Sequence, residues 1–472
     1  MKRVAIIGGG LSGVAAAYEL AREGVEFTLF EASARLGGIV ETVRRDGFVI
    51  ECGPDSWVTE KPWARELAVE LGLESEIVGS NDRWRRNYLL DDKRLVAMPD
   101  GMRMMVPTQW APVLNSPLFS WQARLAYLRE FRRAAELKES PLGEGEDESV
   151  ASFVRRHFGD EITQTIAGPL LAGVFGGSVE TLSVRAVMPA FVKLEREHGS
   201  LIAGLQQKQA ARSDTVFTSL KNGLGGLIHR MAERLPDGAI RLEHEVRSIR
   251  KKGDRWVVGE NGGASEYDAL IVATPAHVSQ RLLRSVHEGF ESLLAMDATS
   301  AIVIALAFHP EQAKRLRIPR GFGYLVPQRT SVRAMDTNPQ LLACTFVDQK
   351  FAHRAPEGAV LLRAFFGGDT APALMGESDA SLVALATRRL SQSLGRLPEP
   401  DITLVRRWPF SLPQYAVGHL DRMAKLSELT GSFPALHLIG NAYHGVGLPD
   451  LIRQGRGTAR RIIRSSGVGQ TD

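Results

Sequence analysis

The fold of this chain is decided by its residues 1–33, MKRVAIIGGGLSGVAAAYELAREGVEFTLFEAS. Val4–Ile7 is a short apolar run rich in β-branched residues, which predicts a buried parallel strand. Ser12–Glu23 is rich in alanine and has an apolar face, which predicts a helix, and Glu26–Phe30 predicts a second strand. The order strand, helix, strand is that of a βαβ unit.

Three glycines, Gly8, Gly10 and Gly13, join the first predicted strand to the helix. In a βαβ unit the first glycine permits a tight turn, the second lets the backbone approach a pyrophosphate, and the third lets the helix pack on the strand. The N-terminus of the helix offers free N–H groups to the phosphate charge. Glu31 ends the second strand, where a carboxylate can bond ribose hydroxyls. This segment therefore predicts a dinucleotide site.

The residues after Glu31 favour FAD over NAD as that dinucleotide. They include Arg35 and the pair Gly37 and Gly38. This spacing resembles the segment that follows the same unit in the amine-oxidase-like flavoprotein superfamily, where the arginine and glycines lie along the FAD pyrophosphate. An arginine offers a fork of donors to phosphate, and paired glycines let the backbone come close.

The composition limits the class of protein. At 472 residues the chain is too long for one simple core, so we expect two or more domains. Its net charge of +4 is too small to indicate nucleic acid, although it suits an acidic small molecule or an anionic membrane surface. Cys52 and Cys344 have no metal-ligand spacing, and we expect no metal. The cysteine usage, with no signal-peptide pattern or long apolar run, favours a cytoplasmic protein.

The rest of the chain does not continue as a regular βαβ series. Later apolar segments predict further strands of the Rossmann-like unit at Ile240–Lys252, Tyr267–Thr274 and Ala435–Gly440. Others predict a second sheet at Ser300–Phe308, Leu341–Phe346 and Val360–Phe366. We expect a hairpin at Tyr88–Pro99, a helix at Ser120–Leu137 and a solvated acidic loop at Leu142–Ser149.

These patterns define the expected fold class as α/β, with a Rossmann-like FAD-binding domain, an inserted α+β substrate domain and a helical region. The expected domain boundaries fall at three sets of residues. The FAD-binding domain takes 1–52, 212–285 and 400–472, the substrate-binding domain takes 53–90, 180–211 and 286–399, and the helical region takes 91–179.

The chain as a whole resembles the oxygen-dependent flavoprotein porphyrinogen oxidases of heme biosynthesis. GGGLSG and RLGG are shared with the wider superfamily. The family's more specific motifs are GPDSW (53–57), GVFGGSVETLS (173–183), WPFSLPQYAVGH (408–419) and NAYHGVGLPD (441–450). The resemblance covers nearly the whole chain.

The resemblance implies an FAD site assembled from separated segments. Glu31 is expected at the adenosine ribose, Val246 at the adenine and Trp408 beside the cofactor, with residues 53–56 and 446–448 near the flavin. The cofactor-binding residues implied in this way are Gly8, Gly9, Gly10, Leu11, Ser12, Gly13, Glu31, Ala32, Arg35, Gly38, Ile39, Gly53, Pro54, Asp55, Ser56, Val246, Trp408, Asn441, Val446, Gly447 and Leu448.

The family's reaction removes six electrons from a porphyrinogen in three two-electron steps, with O₂ reduced to hydrogen peroxide. A hydride passes to flavin N5 in each step, so the resemblance implies no catalytic side chain. It implies an apolar chamber with cations for the propionates. Candidate wall residues are Tyr324, Phe346 and Phe365, and the cation candidates are Arg85 and Arg86.

The sequence leans towards coproporphyrinogen III and leaves protoporphyrinogen IX open. Mitochondrial-type members carry an arginine before the hairpin aromatic, whereas this chain has Asn87 before Tyr88. His444 lies within the C-terminal motif, where a structural hydrogen bond or a role beside the flavin would fit. The basic, aromatic stretch Met98–Arg133 permits peripheral membrane attachment. Monomer and homodimer both stay open.

Other functions remain open on the sequence alone. An amine oxidase and a carotenoid desaturase-like enzyme would share the Rossmann-like unit and RLGG, although Ile39 stands where the wider superfamily often has a basic residue. A flavin-binding protein without turnover is a further alternative, from a different class. Flavin colour, air oxidation of porphyrinogen and indifference to amines would separate these readings.

Overall fold

A computed structural model of the chain describes residues 3–207, 215–260, 262–327 and 341–465. The chain forms two compact units. The first comprises the described parts of residues 1–80, 214–298 and 421–472, and the second those of residues 81–213 and 299–420.

The strands follow one another along the chain as short segments and two long ones. They are β1 (Val4–Ile7), β2 (Phe27–Phe30), β3 (Thr42–Arg45), β4 (Phe48–Glu51), β5 (Trp57–Val58), β6 (Ile77–Gly79), β7 (Asn87–Asp91), β8 (Arg94–Ala97), β9 (Met102–Arg103), β10 (Val106–Pro107), β11 (Phe217–Leu220), β12 (Ile240–Arg241), β13 (Ser248–Lys252), β14 (Arg255–Glu260), β15 (Gly263–Tyr267), β16 (Ala269–Val272), β17 (Ala298–Phe308), β18 (Gly323–Leu325), β19 (Leu341–Phe346), β20 (Val360–Gly367), β21 (Ile402–Pro413) and β22 (Leu436–Leu438).

The helices are concentrated in the second unit and at the C-terminus. They are α1 (Leu11–Arg22), α2 (Trp63–Glu70), α3 (Trp110–Leu114), α4 (Trp121–Arg132), α5 (Ala134–Glu139), α6 (Val150–Ile162), α7 (Gly168–Phe175), α8 (Val184–Val187), α9 (Pro189–His198), α10 (Leu201–Gln207), α11 (Gly225–Ala232), α12 (Ala276–Leu283), α13 (Glu288–Leu293), α14 (Pro310–Ala313), α15 (Val347–Lys350), α16 (Ala371–Leu374), α17 (Asp379–Leu394), α18 (His419–Gly431) and α19 (Leu448–Ser465). Short 3₁₀ turns lie at Glu74–Glu76, Asp82–Trp84 and Gly368–Thr370, and a π-helical turn lies at Thr163–Ala167.

The first unit is built on a five-stranded sheet of order β12-β2-β1-β16-β22. Each pair of neighbours in it is parallel. All four residues of β1 are buried, as are those of β2 and β16, which matches the apolar runs that predicted them. The sheet draws its strands from three separated stretches of the chain, so the prediction of an interrupted Rossmann-like unit is confirmed.

The prediction of a single strand at Ile240–Lys252 was wrong, because this segment forms two separate strands. Only Ile240–Arg241 joins the parallel sheet, whereas Ser248–Lys252 forms an antiparallel sheet with β14 and β15. The chain turns between them, with Glu243 at a φ of 59°. Alternation of polar and apolar residues continued through that turn, and this is why the sequence pattern did not reveal it.

The second unit contains a seven-stranded sheet of order β21-β17-β20-β19-β18-β7-β8. It includes the strands predicted for a second sheet and the hairpin β7–β8, whose pairing runs from Tyr88 opposite Ala97 to Asp91 opposite Arg94. One face of the sheet forms a core with α17, in which Leu362, Phe366 and Leu390 are buried.

The helical part of the second unit encloses a buried ionic cluster, formed by Glu130, Arg156, His157 and Glu195. His157 Nδ1 lies 3.1 Å from Glu130 Oε1, and its Nε2 lies 3.0 Å from Glu195 Oε1. Arg156 also pairs with Glu195. Each ring nitrogen of His157 faces a carboxylate oxygen, an arrangement that favours the doubly protonated ring.

The acidic loop at 142–149 is partly engaged rather than simply solvated. Glu148 forms an ion pair with Arg156, and Asp147 accepts a hydrogen bond from the Ser183 hydroxyl. The expected helix at Ser120–Leu137 is two helices, α4 and α5, separated at Arg133.

The boundaries of the compact units differ from the expected domain boundaries in three places. Residues 53–80 pack in the first unit, because β5 and β6 both pair with β11. Residues 286–298 also belong to the first unit, and residues 400–420 belong to the second, where β21 joins the seven-stranded sheet. The expected boundary at 211 and 212 lies outside the described residues.

Among the residues that the structure describes, no helix combines the length and the apolar character needed to cross a membrane.

Candidate cofactor-binding site

The glycines after β1 let helix α1 begin directly against the sheet. Gly8 has a φ of 105°, which favours glycine, and a Cβ there would lie 2.8 Å from the Ala273 carbonyl oxygen at the end of β16. A Cβ on Gly13 would lie 2.0 Å from the Gly8 carbonyl oxygen. Helix and strand are therefore closer here than any side chain would allow.

The N-terminus of α1 is open to a ligand. Gly10 is its N-cap residue, no side chain caps it, and its first turn holds no acidic residue. A Cβ on Gly10 would meet no atom within 4 Å. The first N–H groups of a helix lack partners within it and attract an anion, so this open space suits a phosphate.

A second loop, Arg35–Ile39, lies along the glycine loop. The Gly37 N–H donates a 2.7 Å hydrogen bond to the Gly9 carbonyl oxygen, and Gly10 and Gly37 form a parallel bridge. A Cβ on Gly38 would lie 3.3 Å from the Gly10 Cα. The structure thus brings together two glycine segments that are distant in the sequence, since Gly10 and Gly37 are 27 residues apart.

Glu31, at the end of β2, is oriented by backbone donors. Its Oε2 accepts a 2.7 Å hydrogen bond from the Gly9 N–H, and its Oε1 accepts the N–H and the hydroxyl of Ser33 at 2.8 and 2.7 Å. An ionised carboxylate has about four lone-pair sites, so it keeps capacity for hydroxyl donors. Ala32 beside it is exposed.

Arg35 binds its own loop, where the sequence led us to expect a phosphate contact. Its guanidinium donates to the carbonyl oxygens of Leu36 and Gly38 at 3.1 and 2.5 Å, and it lies 3.5 Å from Glu41. Arg35 therefore fixes the path of the second glycine loop through side-chain to backbone hydrogen bonds.

The segment at 53–56 meets the same loop. A Cβ on Gly53 would lie 2.0 Å from the Ile39 carbonyl oxygen, so only glycine fits. The Ser56 hydroxyl donates to the Asp55 carboxylate at 2.7 Å, and the Asp55 carbonyl oxygen accepts a 2.7 Å hydrogen bond from Ser219. Pro54, between them, is half-buried.

The C-terminal motif leads from β22 into α19 and meets α1. A Cβ on Gly455 of α19 would lie 2.3 Å from the Ser12 carbonyl oxygen, so the two helices are in close contact. Asn441, Val446 and Gly447 lie in the half-buried turn that precedes α19, and Leu448 is the buried first residue of that helix.

The remaining predicted cofactor residues differ from one another in burial and in position. Leu11 and Ser12 are buried in the first turn of α1, and Val246 is buried in a core cluster with Phe30. Trp408 is half-buried on β21 of the second unit.

The predicted substrate residues divide between the two faces of the seven-stranded sheet. Tyr324 and Phe346 are buried in the core beneath α17, with ring centroids 6.2 Å apart, and Ser393 donates to the Tyr324 hydroxyl at 2.8 Å. The side chain of Phe365 lies on the opposite face of the sheet and is half-buried, with the Arg363 guanidinium 4.9 Å from the centre of its ring. Arg86 is exposed.

Sequence reasoning missed two carboxylates that support the first unit. Glu51 is fully buried and accepts hydrogen bonds from the Thr42 hydroxyl at 2.6 Å and the Leu224 N–H at 2.7 Å. Asp450, in the first turn of α19, pairs with Lys61 at 2.5 Å. These partners are separated by up to 389 residues, so no local pattern reveals them.

His444 is exposed at the surface, although part of its ring is covered by the motif. Burial of part of the ring and the nearby charges of Arg453 and Arg461 lower the pKa of His444 from its ordinary value.

The described residues contain no cluster of histidine, cysteine, aspartate and glutamate that could hold a metal ion.

The parallel sheet, the glycine turn and the uncapped helix define a dinucleotide-binding α/β protein. The strand order, counted along the chain, is 3-2-1-4-5, and the glycine loop lies at the carboxyl end of β1, where such sheets bind ligands.

The sequence comparisons define the family. Residues 11–463 match the family of flavin-containing amine oxidoreductases, and the chain belongs to it. It is 32% identical to coproporphyrinogen III oxidase of Bacillus subtilis (strain 168), covering 96% of each chain, and 31% identical to that of Staphylococcus aureus, covering 98% and 99%. It also matches the crystal structure of a provisionally named protoporphyrinogen oxidase from Exiguobacterium sp. 255-15, with a TM-score of 0.82, 31% identity and coverage of 98% and 99%.

The first unit fits the cofactor that this family name implies. An FAD pyrophosphate needs open space beside unpaired N–H groups, and Gly10 provides that space at an uncapped helix. A ribose needs an oriented acceptor, and Glu31 is held by Gly9 and Ser33.

Proposed function

We propose that this chain is an FAD-dependent oxidase of porphyrinogens, acting on coproporphyrinogen III in preference to protoporphyrinogen IX. The observation that carries the proposal is the end-to-end similarity to the two bacterial coproporphyrinogen III oxidases, at 32% and 31% identity. The glycine cradle of the first unit, which is Gly8–Gly13 with the N-terminus of α1, supports the flavin part of the proposal independently. This support comes from the geometry of the site and not from a relative's name.

The overall reaction would convert one coproporphyrinogen III and three O₂ into one coproporphyrin III and three H₂O₂. Six hydrogens leave the macrocycle and reappear in the peroxide, so atoms and electrons balance. Bound FAD supplies the electron-accepting chemistry, and the protein supplies position and environment.

The residues of the first unit would hold the cofactor in stated roles. The N–H groups at the start of α1 would bind the pyrophosphate, because no side chain caps this helix and the space beside Gly10 is open. The Glu31 carboxylate would accept ribose hydroxyls. Gly38, which lies against Gly10, and Ile39, against which Gly53 packs, would line the path of the cofactor.

The second unit would supply the porphyrinogen chamber. We assign Phe365 to its wall because its ring is half-buried, and retain Arg86 as a candidate partner for a propionate because it is exposed. Tyr324 and Phe346 would not line the chamber directly, because their rings lie in the core between the sheet and α17. They would support the sheet that carries the chamber wall.

The test compares the kinetics of the two porphyrinogens in air. Porphyrin fluorescence monitors the reaction, and hydrogen peroxide is measured in parallel. We expect coproporphyrinogen III to have the larger kcat/KM and three peroxides to form per porphyrin. Faster turnover of protoporphyrinogen IX would contradict the substrate choice. Flavin bleaching by a primary amine, with both porphyrinogens untouched, would replace the proposal with an amine oxidase.

We also propose that the face around α4 allows peripheral contact with an anionic membrane. Trp121 is 69% exposed and Phe131 is 40% exposed, with the Trp110 ring edge-on to Phe131 at 5.6 Å. Arg129 and Arg132 are exposed on the same helix. Aromatic rings beside cations favour an anionic interface.

Sedimentation with phosphatidylglycerol vesicles tests this contact, with phosphatidylcholine vesicles as the uncharged arm. Trp121→Ser combined with Phe131→Ser should reduce co-sedimentation with the anionic vesicles. Equal co-sedimentation of the parent and the double variant would contradict the proposal.

A further inference from the structure

The first unit contains a cavity of about 670 Å³ between α18, the edge strand β22 and one face of α19. This volume is within the range of small-molecule sites, roughly 300–1,000 Å³. Tyr443 and His444 of the C-terminal motif line it, but among its described lining residues there is none of the predicted FAD-binding positions. The cavity is therefore a feature that the proposed function does not use.

The two sides of the cavity have different chemistry. Met423, Leu426 and Phe433 give one apolar wall, and Arg453 and Arg461 line the other, on α19. The arginines are eight residues apart, which is about 12 Å along a helix. Among the described residues that line it, none is acidic. An apolar wall facing two cations suits an amphipathic anion.

Arg461 is the cation whose charge stays available. Its guanidinium donates a 2.7 Å hydrogen bond to the neutral Thr458 hydroxyl. Within the described part of the chain, no carboxylate lies at ion-pair distance from Arg461. Arg453, in contrast, lies 3.8 Å from Asp450 and stacks on Trp63. An anion would therefore find its main partner in Arg461.

Two histidines, His437 and His444, line the cavity, and the pKa of His437 is lowered by burial and by the same positive charge. Burial and the nearby charge of Arg461 lower the pKa of His437, on β22, to about 4. His437 is therefore neutral near pH 7, and the positive charge of the cavity comes from the arginines.

We propose that this cavity is a binding site for a small amphipathic anion, a carboxylate or phosphate on an apolar body, with Arg461 as its principal partner. Its ligand is a soluble molecule rather than a membrane surface, because the cavity is a concave space and not a flat face. The site is independent of the FAD cradle and of porphyrinogen oxidation.

Calorimetric titration of the FAD-loaded protein with decyl phosphate tests the proposal. We expect one site, with binding weakened about tenfold or more in Arg461→Gln, because a charge-assisted hydrogen bond is lost. The matched control is Arg464→Gln, an exposed arginine of the same helix outside the cavity, which should bind like the parent. Inorganic phosphate, which lacks the apolar body, should bind much more weakly.

A second variant keeps both arginines and fills the space. Gly457 lies in the cavity-facing part of α19, and a Cβ there would meet only Arg461 Nη1, at 4.0 Å. Gly457→Leu should therefore block decyl phosphate while FAD content and melting temperature are kept, since leucine favours a helix.

Three results would overturn the inference: no binding by the parent, equal binding by the parent and Arg461→Gln, or unchanged binding by Gly457→Leu. Inorganic phosphate binding as tightly as decyl phosphate would contradict the amphipathic part. A loss of phosphatidylglycerol vesicle binding in Arg461→Gln would instead indicate a lipid surface and contradict the soluble ligand.

Discussion

The glycine cradle of the first unit and the buried ionic cluster of the second handle charge in opposite ways. The cradle, Gly8–Gly13 with α1, offers backbone N–H groups and open space, and no side chain caps its helix. The cluster pairs charged side chains with one another, since His157 lies between Glu130 and Glu195 on three different helices. The N–H groups of Leu142 and Leu201 add hydrogen bonds to its two carboxylates. The cradle is suited to receive a ligand, whereas the cluster is already complete.

This difference predicts which property each substitution changes. A glycine in the cradle can serve packing or ligand access, and the surroundings of its absent Cβ distinguish the two. Every member of the cluster serves stability, because removing one partner of a buried ion pair leaves a charge without compensation.

The largest expected effect is that of Gly13→Ala. The new Cβ would lie 2.0 Å from the Gly8 carbonyl oxygen, and that atom is backbone that cannot move aside. We expect a loss of more than about 4 kcal/mol in the free energy of unfolding, or no soluble protein. Chemical denaturation measures it.

Gly226→Ala is the matched control, because Gly226 is also helical and its Cβ would find only Leu220 at 3.7 Å. It should be as stable as the parent. A Gly13→Ala protein with the parent's stability would show that packing does not require this glycine.

The next largest effect is expected for His157→Gln. Glutamine is neutral and carries both of its N–H donors on one nitrogen, so it cannot replace the two ring nitrogens that face Glu130 and Glu195 on opposite sides. Truncating a buried ionic group costs about 3–5 kcal/mol. The exposed histidine His229, 3.3 Å from Glu233, is the control, and His229→Gln should cost less than about 1 kcal/mol. Equal losses for the two variants would contradict the account of the cluster.

Gly10→Ala should separate ligand binding from packing within one motif. A Cβ there meets no protein atom within 4 Å, and the backbone is extended, so the fold should be kept. The methyl group would occupy space proposed for the pyrophosphate. We expect FAD affinity to fall about 10–100-fold, or roughly 1.4–2.7 kcal/mol. Unchanged FAD affinity, measured by flavin fluorescence titration, would place the pyrophosphate elsewhere.

The smallest effect concerns pH. Burial alone would lower the pKa of His157, but its hydrogen bonds to Glu130 and Glu195 outweigh this and raise the pKa above 6.5. Burial alone would raise the pKa of Glu195, but its hydrogen bonds with His157, Arg156 and the Leu142 N–H outweigh this and lower that pKa to about 2. A histidine with a raised pKa stabilises the fold fully below its unfolded pKa and loses that contribution as pH rises through the folded value.

The measurement is the free energy of unfolding from pH 6 to pH 10, in the parent and in His157→Gln. The difference between the two proteins should shrink as the pH rises. A difference that grows with pH would show that His157 is neutral in the folded state.

The comparison also explains how far the sequence could predict the structure. Strand β1 was predicted to the residue, and α1 and β2 to within one residue, because apolar runs and glycine spacing are local signals. The motif residue Gly38 lies against Gly10, and Gly53 lies against Ile39, which follows Gly38. Here the resemblance supplied what periodicity could not, since these positions are far apart in the chain.

The errors occurred where long-range contacts decide the structure. Asp147 and Glu148 looked like part of a solvated acidic loop, yet Ser183 and Arg156 engage them. The ionic cluster joins residues 65 positions apart, Glu130 and Glu195, and no spacing rule reveals it. The assignment of aromatic residues to a chamber also depended on strand register, which separated Phe365 from Tyr324 and Phe346.

The most direct test of the central claim, that this chain holds FAD and uses it to oxidise a porphyrinogen, is anaerobic mixing of the FAD-loaded protein with coproporphyrinogen III. The account predicts rapid loss of flavin absorbance near ~450 nm, with recovery when oxygen is admitted. Flavin that stays oxidised in the presence of both coproporphyrinogen III and protoporphyrinogen IX would contradict it.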